Sequence, residues 1–302
     1  MVTDVAVDER GFFYVLDATA HCVHVFDNTG HKRGQFGRLG QGPGELKSPG
    51  GLLLSVRGEV LVGDVGNRRI CIWDTSGNYV RTVGCTRGVG RIRWLDEAKG
   101  LIVTRSSGGG GGEPLMVVYD LSGAVVQAFA VWPPEVLELQ RKMRAPISGS
   151  AFEVAPDGEV LVCHAAVYRV MRYTADGVPC GLISKPQGSG FIAPPSLPPT
   201  ISSQSVREWG SSWTAIGKLV ALAEAVVVQM WGHGSRNDAG ARSYLVDVMT
   251  RDGKPFRCAL PTAERIVSRL DERRILTLQE IYSEGPSSPQ LFLRIRRWER
   301  KR

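Results

Sequence analysis

No apolar run in the 302-residue chain reaches the roughly 18–20 residues that a membrane-spanning helix needs. No basic-then-apolar segment stands ahead of the first strand-like sequence, which begins at Val2. The six cysteines, at 22, 71, 85, 163, 180 and 258, form no Cys-x-x-Cys pair and no metal-ligand spacing. Cys71 and Cys163 fall inside apolar runs, where a thiol serves as a small hydrophobe. Reduced, structural cysteines are the expectation, with disulfide pairing left open. Neither a Gly-x-Ser-x-Gly elbow nor a His-Glu-x-x-His helix occurs, so the local signatures of α/β-hydrolases and zincins are missing.

What is present suits a globular chain with many turns: 43% hydrophobic residues, 22% charged, 36 glycines and 17 prolines. Net charge is +7 and is concentrated late, with 11 Lys/Arg against 6 Asp/Glu from Arg257 to Arg302. Such a basic stretch can attract nucleic acid, anionic lipid or an acidic protein. The simpler reading, and the one we favour, is a strand with a solvated arginine face.

The most regular stretch is 36–84. Two apolar runs, 51–56 and 59–62, are split by Arg57-Gly58. After the turn Asp64-Val65-Gly66-Asn67, residues 69–73 alternate as a strand, Asp74-Thr75-Ser76-Gly77 turns again, and 79–83 form a fourth strand. Short strands with a polar or glycine turn at every junction predict an antiparallel meander. The pattern recurs. The glycines that close the third-to-fourth-strand turn stand at 30, 77, 123, 177 and 253, a spacing that fits four-stranded blades carrying insertions. Six copies are predicted over approximately 1–37, 49–84, 89–130, 148–184, 212–260 and 264–302. The fold class is therefore all-β, a six-bladed β-propeller of four-stranded antiparallel blades in one domain, with the last blade lacking a strand. Propellers often close by pairing a strand from the chain's start onto the last blade. No residues upstream of Val2 serve that role here. Either the last blade has three strands, or an N-terminal segment carrying the closing strand and any signal peptide is missing; we favour the second.

Three features of the 36–84 stretch carry a resemblance. They are Gly44-Glu45-Leu46 with Pro49-Gly50-Gly51-Leu52, then Leu61-Val62-Gly63-Asp64, then Asn67-Arg68-Arg69-Ile70-Cys71-Ile72-Trp73. Together they resemble the NHL repeat, whose usual form begins G-x-F-x-x-P-x-G-I and continues through Y-V-x-D to N-x-R-I-x-V-F. The link Gly40-Gln41-Gly42-Pro43-Gly44-Glu45-Leu46 resembles bacterial six-bladed propellers that are often exported. That implies a periplasmic or cell-surface location, with a cytoplasmic one left open.

The predicted loops sort by face. First-to-second and third-to-fourth turns are tight, as at 9–11, 56–58 and 156–158. Blade links 37–50, 131–147 and 185–211, and second-to-third turns 105–114, 231–242 and 280–289, hold the long insertions. Loops of that length are often functional, so the binding face is expected there. The glycine run within 106–112 reads as slack rather than a phosphate loop. Residues 133–144 predict a short amphipathic helix, and 186–199 an extended Pro-rich cover.

Propellers that this chain resembles include calcium-dependent lactonases and phosphotriesterases and a zinc-dependent amidating lyase, with ligands near the starts of the innermost strands. The corresponding positions here are about Thr3, Gly51, Arg91, Ser150, Trp213 and Arg265, with no histidine and only Asp4 and Glu264 nearby. A second ring, at the ends of the second strands, offers Asp17, Asp64, Arg105, His164, Trp231 and Glu280. Asp17 and Asp64 match the repeat's aspartate, whose usual work is to hold a turn. His164 is the best single candidate for chemistry, yet a lone histidine with no triad partner is more often structural. Trp132, Trp209, Trp213 and Trp231 are expected to pack the loops rather than contact ligand.

The binding-face candidates are thus Arg38, Arg91, Arg105, Trp132, His164, Trp213, Trp231 and Glu280. No catalytic residue, metal or cofactor is expected. A protein partner is the first expectation, and a metal-dependent hydrolase or lyase the alternative. RNA binding, through Arg38, Lys47, Arg87, Arg91 and Arg105, comes third.

Overall fold

The computed structural model describes residues 1–106, 113–143, 150–195, 202, 204–205, 208–209, 212–236, 242–281 and 290–297. Side chains at 139–143, 232–236, 242, 280–281 and 290–291 are outside the description. The chain is a six-bladed β-propeller. Five described sheets are four-stranded and antiparallel, and the sixth has three strands. The contacts divide into two compact units, Met1–Trp132 and Pro133–Arg302.

Unit 1 holds blade 1, β1 (Val2–Val7), β2 (Phe13–Asp17), β3 (Cys22–Phe26) and β4 (Lys32–Phe36). Blade 2 is β5 (Pro49–Leu54), β6 (Glu59–Asp64), β7 (Arg69–Asp74) and β8 (Tyr79–Gly84). Blade 3 is β9 (Ile92–Asp96), β10 (Leu101–Arg105), β11 (Met116–Tyr119) and β12 (Val125–Phe129). Unit 2 opens with α1 (Pro134–Met143), the helix predicted there. Blade 4 follows as β13 (Ser150–Val154), β14 (Val160–His164), β15 (Val167–Tyr173) and β16 (Pro179–Ser184). Blade 5 is β17 (Thr214–Ala221), β18 (Ala225–Arg236), β19 (Arg242–Thr250) and β20 (Pro255–Thr262). Blade 6 is β21 (Glu264–Arg269), β22 (Arg274–Ile281) and β23 (Gln290–Arg297).

Side-chain oxygens and glycines set the tight turns. Asp27 Oδ1 accepts the backbone N–H groups of Thr29 and His31, and Asp120 Oδ1 those of Ser122 and Ala124. Three residues on, Gly30 and Gly123 adopt φ of 86° and 90°, which only glycine takes without strain. The hydroxyl of Thr29 and the Arg33 guanidinium help hold the Asp27 carboxyl well below the carboxylate range. In blade 4 a threonine replaces the aspartate, and Thr174 Oγ1 accepts from the Val178 N–H at 3.2 Å.

Middle strands are buried on both faces. Val60 and Val62 of β6 pack with Leu16, Val23 and Trp73, while Leu61 between them packs with Ile72, Ile92 and Ile102. This is why these strands read as continuous apolar runs rather than alternations. Outer strands behave differently. β4, β8, β12 and β16 each bury one apolar residue near the C-terminal end, respectively Phe36, Val83, Phe129 and Ile183.

One predicted loop begins as strand. Strand β18 continues beyond Trp231 to Arg236, which pairs with Arg242 after a break in register, so the first part of the predicted turn 231–242 is strand. Trp231 therefore lies inside β18, opposite Ala215 and Tyr244, not at a strand end. The glycine tip at 107–112 and the predicted turn at 282–289 lie outside the described residues, as does the later part of the Pro-rich segment.

Candidate functional site

In unit 1 the 37–50 link is fastened by groups that the sequence pattern had marked. Glu45 turns its carboxylate back on its own loop: Oε2 accepts the N–H groups of Gln41 at 3.0 Å and Gly42 at 2.8 Å, and Oε1 accepts from Arg38 Nε at 2.9 Å. The Gly42 N–H is the first cause holding the Glu45 carboxyl below its ordinary value. Arg38, a binding-face candidate, is thereby paired, though its side chain is 81% exposed.

Asp64, Asn67 and Arg69 complete the clamp. Asp64 is fully buried; Oδ1 accepts the Lys47 N–H at 2.6 Å, and Oδ2 accepts from Asn67 Nδ2 at 2.7 Å and Arg69 Nε at 2.9 Å. The Arg69 guanidinium also donates to the carbonyls of Gln41, Gly42 and Glu45, and Asn67 Nδ2 to that of Gly40. The motif's polar residues thus hold the link to the blade instead of facing a ligand. Asp17 does comparable work: Oδ1 accepts the N–H groups of Thr19 and Ala20 and the terminal amine of Met1.

Arg91, just ahead of β9 and 21% exposed, joins a charge cluster centred on the buried Asp4. Its Nη2 lies 3.5 Å from Asp4 Oδ1 and donates to the Thr3 carbonyl at 3.3 Å. Arg93 Nη1 donates to Asp4 Oδ2 at 3.0 Å, and the Leu52 N–H to the same oxygen at 3.3 Å. Asp4 is fully buried, so one carboxylate ties β1 to β5 and to β9. Arg105 ends β10, where burial lowers its pKa from the ordinary value. Trp132 is buried at 5% exposure.

In unit 2, His164 ends β14 at 1% exposure, and its Nδ1 accepts the Ala166 N–H at 3.0 Å. The histidine holds its own turn. Above that turn Ala165, Ala166, Trp209, Trp213 and Ala215 form an apolar cluster with Trp231 packed against it. The Trp209 and Trp213 rings stand 5.4 Å apart at 55°. Trp209 Nε1 donates to the Pro195 carbonyl at 2.9 Å, pinning the 185–211 link. Ser189 donates to Asp247, which also accepts the Ala259 N–H at 2.7 Å. Of the eight candidates, Trp213 and Trp231 are brought together beside the turn that His164 holds, while Arg38 and Arg91 lie in separate clusters. The Glu280 side chain lies outside the described residues. Among the described residues no group of three or more His, Cys, Asp or Glu could hold a metal ion.

Sequence reasoning noted Asp4 but passed over the other charges buried in the first strands. Asp4 in β1 and Arg93 in β9 are at most 7% exposed, and so are Glu153 in β13 and Lys218 in β17. Each stands in the first strand of its blade, and within the described first strands each unit buries one acid and one base. Lys218 Nζ donates to the Val267 carbonyl, and Gln229 clips β18 to β21 through the Glu264 carbonyl and the Ile266 N–H. The available signal was a single charge inside an otherwise apolar run, as at Lys218 in Thr214–Ala221.

No protein-family profile matches the chain. Protein lin-41 of Caenorhabditis elegans is 44% identical over 45 residues, which is 15% of this chain and 4% of that relative's length. Among solved structures, a member of the DUF4221 family from Bacteroides vulgatus has a TM-score of 0.68 at 11% identity and covers 99% of this chain and 94% of that one. A catalytically inactive virginiamycin B lyase from Staphylococcus aureus with quinupristin has a TM-score of 0.53 at 12% identity, over 91% and 76%. The WD40 repeats of RRP9 have a TM-score of 0.55 at 13% identity, over 90% and 71%. At these identities the likeness is one of fold, and the fold is shared by a lyase and a set of WD40 repeats.

Proposed function

We propose that the chain is a non-enzymatic binding module, built of NHL-like repeats in one domain, that engages a protein partner through its blade links. The observation that carries this reading is the fastening of the links. Asp64, Asn67, Arg69 and Glu45 are spent on backbone groups of the 37–50 link, and His164 on its own turn. Groups so engaged are unsuited to chemistry and well suited to presenting a rigid surface. Three links each present an exposed apolar side chain: Leu39 at 62%, Val131 at 52% and Ile192 at 57%. Exposed apolar residues on a stiff, polar-rimmed segment favour protein contact over RNA contact, which calls for unpaired Lys and Arg. The resemblance of the 40–46 link to exported propellers supports a periplasmic or cell-surface site of action.

The test is affinity capture with the wild-type chain beside Leu39→Glu and Ile192→Glu, both surface changes that leave the clamps intact. A partner retained by wild type and lost by either variant supports the reading. Elemental analysis with an esterase and lactonase screen runs in parallel. A stoichiometric metal whose turnover disappears in His164→Ala sinks it in favour of a metal-dependent hydrolase or lyase.

A further inference from the structure

The clamped 37–50 link is one part of a larger surface of unit 1, laced together by backbone hydrogen bonds. The Leu46 N–H donates to the Arg38 carbonyl at 2.7 Å, and the Gly66 N–H to the Lys47 carbonyl at 2.7 Å. The Cys85 N–H donates to the Arg68 carbonyl at 2.9 Å, and the Arg68 guanidinium in turn to the Thr86 carbonyl. The link, the turn at 65–68 and the next link at 85–91 therefore adjoin. Across these segments the bases are Arg38, Lys47, Arg68, Arg87 and Arg91, and the one acid is Glu45. The Glu45 side chain is 23% exposed, and its oxygens are engaged by Arg38 and by the Gln41 and Gly42 N–H groups. Asp64 beneath is fully buried against Arg69. Arg91 is drawn to Asp4, whereas Arg38, Lys47, Arg68 and Arg87 are exposed. Two exposed aliphatic side chains lie among them, Leu39 and Val65. Leu39 bridges to Leu46, one residue before Lys47, and Val65 opens the turn that ends at Arg68.

We infer that this surface binds an acidic segment of a partner protein, one that carries an aliphatic side chain among its carboxylates. The inference rests on the reading of the chain as a protein-binding module and adds the partner's chemistry. Carboxylates of the segment meet Lys47, Arg68 and Arg87, and its aliphatic side chain packs on Leu39 and Val65. Charge of one sign steers the partner and fixes its orientation, while the apolar contact slows its release. The backbone bonds hold the surface in place beforehand, so little ordering entropy is lost on binding. A nucleic acid offers the same sign of charge, but single strands are gripped by stacking as well. The three segments contain no Phe, Tyr, Trp or His on which a base could stack, and a phosphate backbone would leave Leu39 and Val65 uncovered.

The probe is a labelled decapeptide of glutamate and aspartate around a central leucine pair, with lysine and glutamine counterparts and an oligouridylate of equal length. Anisotropy at about 50 mM salt should show saturable binding of the acidic peptide, at least about tenfold tighter than of the other three. Lys47→Glu with Arg68→Glu should weaken that binding at least about tenfold. Arg57→Glu with Lys99→Glu, an equal change of charge on the tight turns of blades 2 and 3, should alter it less than about twofold. On the wild-type chain, carbodiimide should couple the peptide's carboxylates to the Lys47 amine, read by peptide mass spectrometry. That measurement needs no variant, so a misfolded one does not block the test. The inference is overturned if both double variants lose binding equally, which means that net charge alone attracts the peptide. Coupling that avoids Lys47 overturns it too, as does oligouridylate binding as tightly as the acidic peptide, which means a nucleic-acid face. A partner captured by wild type and lost in Leu39→Glu, from a chain that ignores the acidic peptide, overturns this inference and leaves the binding-module reading in place.

Discussion

Blade 2 and blade 6 are copies of one unit held in opposite ways. Blade 2 has four strands, and its acid, Asp64, is wholly buried against Arg69, Asn67 and the Lys47 N–H. Blade 6 has three strands, and its acid, Glu264, meets two half-exposed arginines, Arg294 and Arg296. The same carboxylate–guanidinium pairing therefore does different work. Buried and multiply hydrogen-bonded, it fixes a loop; near solvent it is weak in stability and leaves positive charge on display.

The comparison breaks most sharply at Asp64. Asp64→Ala strands the Arg69 guanidinium in a site only 15% exposed, and removal of one member of a buried pair costs about 3–5 kcal/mol. Urea unfolding should show that loss, and exchange at Gln41, Gly42 and Lys47 should accelerate. Gly63→Ala comes next. A Cβ there would lie 2.6 Å from the Gly90 carbonyl oxygen, which is backbone and cannot turn aside, so about 1–3 kcal/mol is expected by the same measurement.

Glu264→Gln should cost less than about 1 kcal/mol at neutral pH, and its larger signature lies in acid. The Arg296 hydrogen bond holds the Glu264 carboxyl below its ordinary 4.5. Burial pushes the Glu159 carboxyl of blade 4 up, but Arg172, Cys180 and Arg251 outweigh it and the net shift is also downward. A carboxyl depressed on folding stabilises the fold above its unfolded pKa, and that contribution disappears as pH falls through the folded one. Stability should therefore decline below about pH 4.5, and Glu264→Gln should flatten part of that limb in pH-dependent unfolding.

The smallest expected effect is in thiol labelling. Cys71 and Cys85 in and beside blade 2 are buried, and burial pushes the Cys85 thiol up to about 12. Cys180 is exposed and Cys258 half-buried. Iodoacetamide at pH 8, read by peptide mass spectrometry, should modify Cys180 first and leave Cys71 and Cys85 intact. In Asp64→Ala, Cys71 should gain reactivity, because its Sγ lies 3.9 Å from the Glu45 carbonyl of the clamped link.

The blades were legible because turn chemistry is local. An aspartate or threonine and a glycine three residues later fix a reversal whatever surrounds them, and the predicted strands 69–73 and 79–83 fall within the observed Arg69–Asp74 and Tyr79–Gly84. The length of β18 was not legible: its extension through Gly232 and Gly234 to Arg236 has the composition of a loop, and only the return to pairing at Arg236↔Arg242 distinguishes the two. The clamp was half legible. Asp64 stood out as a turn-holding residue, but that it reaches back 17 residues to Lys47 depends on how the link folds over the blade. His164 drew notice as a reactive type, and its bond to the Ala166 N–H is what a lone strand-end histidine ordinarily does.

Gly51 and Gly63 carry one more consequence. A Cβ on Gly51 would stand 2.7 Å from the Ile92 nitrogen, and one on Gly63 2.6 Å from Gly90, so β5 and β6 lie against the backbone of the next blade with no side chain between. Repeat proteins are often treated as strings of exchangeable modules. This seam makes blade 2 unsuited to that use: moved to another slot in the ring, it would meet a neighbour not shaped to lie so close. The structural unit here is the pair of adjoining blades.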